Sequence, residues 1–240
     1  MNDVSLALDM PAQPTETTCG PTCLYAVYRH LADTITHDQV IAETATLPEG
    51  GTLAVHLATH ALERGYRVRL YSFNLQLLDP TWFTEDGPRP DLRGLLAEQA
   101  TLRADDKLRH ASTAYARFLE LGGDLQMAEL GHDMLRSFLR RGVPLLVGVS
   151  ATFLYRHARE LPDGKSDPLH GEPQGHFVVV AGARGTEVLV RDPWHPESDD
   201  GSGKEYWVPM RRLVHAVLLG VLTYDGNLMA IERPTEKALS

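Results

Sequence analysis

The sequence predicts an α+β fold, and three observations carry it. Apolar residues recur at helical spacing through the first half. Short, β-rich apolar runs crowd the last part, and no repeat, linker or shift of composition divides the two. One domain over residues 1–240 is expected, a helical part at about 19–142 packed on an antiparallel sheet part at about 143–233. Of the 240 residues, 43% are hydrophobic and 23% charged, which excludes a disordered, fibrous or low-complexity class. With 23 Lys+Arg against 32 Asp+Glu, the formal net charge is −9. That suits a phosphate backbone poorly, so no nucleic-acid role is expected.

The elements follow in order. Leu8–Thr18 is polar, carries Pro11 and Pro14, and reads as extended chain. Leu24, Val27, Tyr28 and Leu31 recur at helical spacing, in a helix that starts near Gly20 and Pro21. Proline suits a first turn, where its missing N–H would be unpaired anyway. A second helix is expected over Thr52–Glu63, between the Gly50-Gly51 turn and Gly65, then a strand at Arg67–Phe73. Leu78–Pro90 is a Pro/Gly-rich connection. Asp91–Leu121 reads as helical with a break near Ala104-Asp105, and Gly122-Gly123 stops it. His132–Arg141 is a further helix, ended by Gly142-Val143-Pro144, and Leu145–Val149 a strand. After a polar loop, Tyr155–Gly175, two strands at Phe177–Ala181 and Val188–Arg191 flank the turn Ala183-Arg184-Gly185. Val214–Tyr224 and Leu228–Glu232 read as a last hairpin about Asp225-Gly226-Asn227, since Asp-Gly between apolar runs is a strong turn signal.

The longest apolar stretch, Leu213–Tyr224, falls short of the ~18–20 residues that span a bilayer. The N-terminal residues lack the basic-then-apolar pattern of a secretory signal. The two cysteines make no disulfide framework and suit a reducing compartment. A soluble, cytoplasmic protein is expected.

The chemistry centres on Cys19, placed where extended chain becomes helix. A thiolate there faces unpaired N–H groups and the positive end of the helix dipole, which favour the charged form. Cys23, one turn on beside Leu24, reads as a small buried hydrophobe. A disulfide between the two within one helix is geometrically poor, and no further ligand lies at metal spacing. Among 11 histidines, His176 stands out because it opens an apolar strand, while Asp192 ends the next one. Aligning Val180 with Val188 sets His176 opposite Asp192, at a cross-strand Cβ separation of about 4.5–5.5 Å. A carboxylate there would fix the imidazole's tautomer and stabilise the imidazolium; a cross-strand surface pair is the alternative. Gln13, six residues before Cys19, could join the Cys19 backbone N–H in holding an oxyanion.

Three ordered blocks resemble a known family. They are Gln13-Pro14-Thr15-Glu16-Thr17-Thr18-Cys19-Gly20-Pro21-Thr22-Cys23-Leu24, then Gly175-His176-Phe177-Val178-Val179-Val180-Ala181-Gly182, then Arg191-Asp192-Pro193. Together they look like the bacteriocin-processing type of cysteine peptidase, family thirty-nine of the cysteine peptidases, which has a papain-like fold. The likeness extends to Gly142-Val143-Pro144 and the strand after it, and is weak over Leu78–Gly131. It implies Cys19 as nucleophile, His176 as general base and acid, Asp192 as orienting residue and Gln13 as oxyanion donor. The best-known members are domains of membrane exporters that cut leader peptides after two glycines. This chain resembles the free-standing members instead, and the double-glycine specificity is not carried over.

The resemblance implies a thiol hydrolase that cuts an amide bond in a peptide or protein substrate through a thioester. No cofactor, metal, nucleic acid or membrane partner is expected, and the oligomeric state is open. The same residues would serve an acyl or peptidyl transferase or an amidase, and an inactive peptide-binding module is a further alternative. His56 and His60 share a zinc-peptidase spacing but lack the intervening Glu, so a satisfied or surface pair is expected. Gly50-Gly51-Thr52 lacks a phosphate-loop lysine. Asp199-Asp200-Gly201-Ser202-Gly203 reads as a solvated turn rather than a calcium loop. His170 and His195 read as exposed, Trp194 as a packing residue beside the His–Asp pair, and the Tyr155–Gly175 loop as a candidate flap.

Overall fold

The computed structural model describes residues 3–47, 50–85, 87–195, 201 and 203–234. A two-residue strand, β1 (Val4–Ser5), precedes the extended segment, and α1 (Cys19–His30) begins where that segment ends. Cys23, Leu24, Val27 and Tyr28 are its buried stripe, as one face of a 3.6-residue repeat requires. Thr18 precedes α1 without capping it, because its hydroxyl turns back to the Thr15 carbonyl at 3.0 Å. No side chain therefore takes up the first-turn N–H groups of α1. A helix absent from the sequence expectations, α2 (His37–Glu43), is opened by a capping box between Thr36 and Gln39. α3 (Ala54–Glu63) and β2 (Arg67–Ser72) fall where expected.

A 3₁₀ turn at Pro80–Trp82 and two short strands, β3 (Phe83–Thr84) and β4 (Gly87–Pro88), fill the Pro/Gly-rich connection. α4 (Leu92–Leu102) and α5 (Asp106–Glu120) part at the expected break, where Asp105 caps α5 by accepting the Leu108 N–H at 2.7 Å. Then come β5 (Asp124–Gln126), α6 (His132–Arg140), β6 (Leu145–Ser150) and α7 (Ala151–Tyr155). β7 (Gly175–Arg184), β8 (Glu187–Asp192), β9 (Lys204–Pro209), α8 (Met210–Leu219) and β10 (Asn227–Glu232) complete the described chain.

The main sheet runs β5-β2-β10-β6-β7-β8-β9, with β1 paired to the far end of β7. Its pairings are antiparallel except β2–β5. Alternation along the strands sorts apolar side chains to two faces. Leu70, Leu146, Phe177, Val179 and Met229 pack in one cluster with α1, α3 and α5. Val147, Val178, Val180, Val190 and Leu228 pack in a second with α6 and α8. The N-terminal helices thus cover one face of a mostly antiparallel sheet, while β2 and β5 from the first half extend its edge.

Two expectations are corrected. Val214–Tyr224 is no strand: α8 covers Met210–Leu219 and a 3₁₀ turn covers Gly220–Thr223. Met210, Leu213, Ala216 and Val217 are its buried residues, a 3–3–1 spacing that belongs to a helix. Asp225-Gly226-Asn227 therefore leads from helical turn to strand. In the β7–β8 hairpin, Val180 pairs with Val190, not Val188, and Ala181 is an extra residue that shifts the pairing to Gly182↔Leu189 beyond it. Of the proposed solvated turn at 199–203, residues 199, 200 and 202 lie outside the described residues. Among the described residues, no helix is long and apolar enough to cross a membrane.

Candidate active site

His176 is the second residue of β7, opposite Val149 of β6. Gly175 before it has no Cβ for a reason: one there would run into the Asp225 carboxylate and the Thr223 hydroxyl. The His176 ring is buried at 7% exposure, and its Nε2 pairs with Asp192 Oδ1 at 2.8 Å. Cys19 sits close enough to the same ring for its sulfur and charge to raise it. The shifted hairpin register does not separate the pair. It leaves Asp192 displaced by two along β8, on the face that Val178 and Val190 share, and the imidazole reaches it diagonally.

Asp192 ends β8 at 1% exposure and accepts four donors. Besides His176, these are the Trp194 N–H at 2.9 Å on Oδ1 and the hydroxyls of Tyr155 and Tyr206, each 2.6 Å from Oδ2. Burial by itself would raise this carboxyl; the hydrogen bond and charge of His176 and the two phenols hold it below the usual carboxylate range. Burial likewise would lower His176, but the hydrogen bond to Asp192, the nearby Cys19 sulfur and the charges of both reverse this and push it up to about 10. The pair is therefore imidazolium and carboxylate at neutral pH.

Tyr155 and Tyr206 were not singled out in the sequence. Tyr155 ends α7, and Tyr206 lies in β9, opposite Val190. With β9 unrecognised, no register existed to aim Tyr206 at Asp192. Asp225 was read only as a turn residue. It is a buried carboxyl beside Gly175, pushed up to about 7 by burial against the opposing effects of Thr223, Lys107 and His176.

Gln13 lies beside this chain of groups. Its backbone N–H donates to Pro193 O at 2.9 Å, next to Asp192. One hydrogen of its side-chain amide is held by Thr15 O at 2.8 Å, and its Oε1 is buried without a partner. Gln13 and His176 line one cleft of about 270 Å³, with Thr152, Glu160 and Trp194. Cys23 stays apart from the chemistry: it is fully buried, its thiol points to Phe177 O at 3.3 Å, and burial first, then Cys19 and Asp192, push it well up.

The remaining candidates resolve plainly. His60 pairs with Tyr28 Oη at 2.8 Å and Glu43 at 3.3 Å, and His56 with Ala45 O and His110, each at 3.1 Å. His170 is held by Asp167 at 3.0 Å. Among the described residues, no group of three or more His, Cys, Asp or Glu could hold a metal. The 156–174 segment is hydrogen-bonded within itself, through bridges from Glu160 to Ser166 and Glu172 and from the Arg159 guanidinium to Pro168 O.

A thiol, an imidazole and a buried carboxylate in sequence, with an amide side chain in the same cleft, can form a nucleophile and move a proton to a leaving group. No protein-family model matches the chain, and no curated protein matches it. Solved structures do. A C39-like peptidase from Bacillus anthracis aligns over 98% of this chain and 100% of its own, at 13% identity and a TM-score of 0.52. A double-glycine-motif protease from an AMS/PCAT transporter, in complex with a leader peptide, aligns over 98% and 99% at 11% identity and a TM-score of 0.45. The peptidase domain of Streptococcus ComA aligns over 94% and 98% at 13% identity and a TM-score of 0.42. The chain has the papain-like fold of C39-like peptidases.

Proposed function

We propose that this protein is a cysteine peptidase, a thiol hydrolase that cleaves a peptide bond. The observation that carries the reading is the buried His176–Asp192 pair at 2.8 Å, with Cys19 on the same ring. Cys19 at the start of α1 attacks the scissile carbonyl as a thiolate. The charge that develops on the carbonyl oxygen meets the Cys19 backbone N–H, which no side chain caps, and the second amide hydrogen of Gln13. His176 gives its proton to the leaving amine, and a thioester to Cys19 remains. His176, now neutral, takes a proton from water as that water attacks the thioester, and Cys19 is released. Asp192 holds the ring's orientation and its positive charge throughout.

The reading is tested with an internally quenched peptide library and the Cys19→Ala protein. Wild type should cleave a subset of peptides and form an acyl adduct on Cys19 by mass spectrometry; Cys19→Ala should do neither. Cleavage that survives in Cys19→Ala would overturn it.

A further inference from the structure

Behind Asp192 lies a second cavity, of about 340 Å³, that the chemistry above does not use. It shares Tyr155, His157 and Trp194 with the cleft that holds Gln13 and His176, so one extended ligand can occupy both. Trp194, Trp207, Tyr155 and Tyr206 give it aromatic walls, and Lys204 and Arg212 give it two cations. Trp194 is 37% exposed, a large apolar surface left open at the junction.

Arg212 is the unusual member. Its Nε is buried and has no hydrogen-bond partner. Among the described residues, neither its guanidinium nor the Lys204 ammonium makes a hydrogen bond or ion pair. An N–H of a charged group that has lost water without gaining an acceptor is an uncompensated cost in the free protein. Helix stability does not explain it either. Arg212 is the third residue of α8, whose first turn contains no acidic residue, and a cation there opposes the helix dipole. Asp192 is the one acidic residue lining the cavity among those described, and its oxygens are already taken by four donors. Among the described residues, the cavity therefore presents a guanidinium fork and an ammonium, walled by aromatic rings, with no carboxylate free to neutralise them.

We propose that this cavity is a carboxylate-binding subsite. In it Arg212, with Lys204 at the rim, holds an acidic side chain or the free C-terminal carboxylate of a peptide whose scissile bond lies in the adjoining cleft. The guanidinium fork matches a carboxylate in two parallel hydrogen bonds, and the rings cover the apolar part of the same residue. The identification of the occupant as a peptide rests on the proposed peptidase reading; the binding of a carboxylate does not.

Binding is measured on the Cys19→Ala protein by tryptophan fluorescence, since two of the three tryptophans, Trp194 and Trp207, line the cavity. The probes are N-acetylphenylalanine, its neutral amide, and the α-amide of N-acetylglutamate. A saturable change is expected with at least one carboxylate probe and not with the neutral amide, and it should weaken as NaCl is raised. The stronger of the two carboxylates distinguishes a C-terminal from a side-chain source. Arg212→Gln should weaken binding about tenfold or more, and Arg212→Lys should retain part of it. If Arg212→Gln fails to fold, as read by its melting curve, the salt dependence and the Arg212→Lys comparison decide. A carboxylate that binds no better than the amide, or binding untouched by salt or by Arg212→Gln, overturns the proposal. Because no turnover is read, that failure is distinct from failure of the peptidase reading, which Cys19→Ala decides.

Discussion

Asp192→Asn removes one charge and keeps the side chain's shape, which isolates what the carboxylate does for His176. The rise of His176 from 6.5 to about 10 corresponds to roughly 5 kcal/mol in favour of imidazolium. Burial opposes that rise, and the hydrogen bond that His176 donates to Asp192 leads the effects that produce it. In Asp192→Asn the ring should lose its proton at a pH roughly 2 units lower or more, the effect of a directly bonded opposite charge. Turnover should fall by about ten-thousandfold, as when a catalytic histidine loses its carboxylate partner. Stability follows with a definite sign. A group raised in the folded state contributes fully below its unfolded value and loses that contribution as pH climbs through its folded value. Wild type should thus lose stability between about pH 6.5 and pH 10, by up to roughly 5 kcal/mol, and the variant should show a flatter curve. Asp225 changes its own proton below about 7, and Cys23, raised by burial, adds its own loss above the free thiol value of about 8.5, so urea unfolding between about pH 7 and 8.5 reads His176. The assay pairs that unfolding with ¹⁵N NMR of the His176 ring across the alkaline range. A ring midpoint that stays near 10 in Asp192→Asn would refute the assignment of its charge to Asp192.

Iodoacetamide at neutral pH should label Cys19 well ahead of Cys23, whose thiol is fully buried and pushed up, and peptide mapping that finds Cys23 first would reverse the nucleophile. Gln13→Ala should slow the chemical step about a hundredfold or more with KM little changed, and Gln13→Glu should do at least as much harm; wild-type rates in both would leave backbone N–H groups alone for the oxyanion. Tyr155→Phe and Tyr206→Phe should each cost about 1–3 kcal/mol in urea unfolding, because each strips a donor from a buried carboxylate, and each should raise the ring midpoint of His176, since the less-satisfied carboxylate holds the imidazolium more tightly; an unmoved midpoint would mean that the phenols only pack.

Local chemistry was legible where local interactions decide the outcome. Asp105 caps α5 within its own turn, so the α4–α5 break could be read from neighbouring residues. Pro21 and the Leu24–Val27–Tyr28 spacing marked α1, and with it the placement of Cys19 at a helix start. His176 and Asp192 could be paired because strand alternation puts residues two apart on one face, so even a register wrong by two kept them together. The bulge at Ala181 carried no such signal. Two-residue steps on one strand against one on its partner are set by β1, which packs on Gly182, and by the close approach that this glycine permits. Val214–Leu219 was misread because a short run of Val and Leu satisfies strand and helix alike; what selects helix is the second core cluster into which Leu213, Ala216 and Val217 fit. Tertiary structure alone brought Tyr155 and Tyr206 to Asp192, from α7 and from β9. A buried carboxylate must find donors wherever the fold supplies them, and no spacing in the chain announces residues that meet only after the strands have paired.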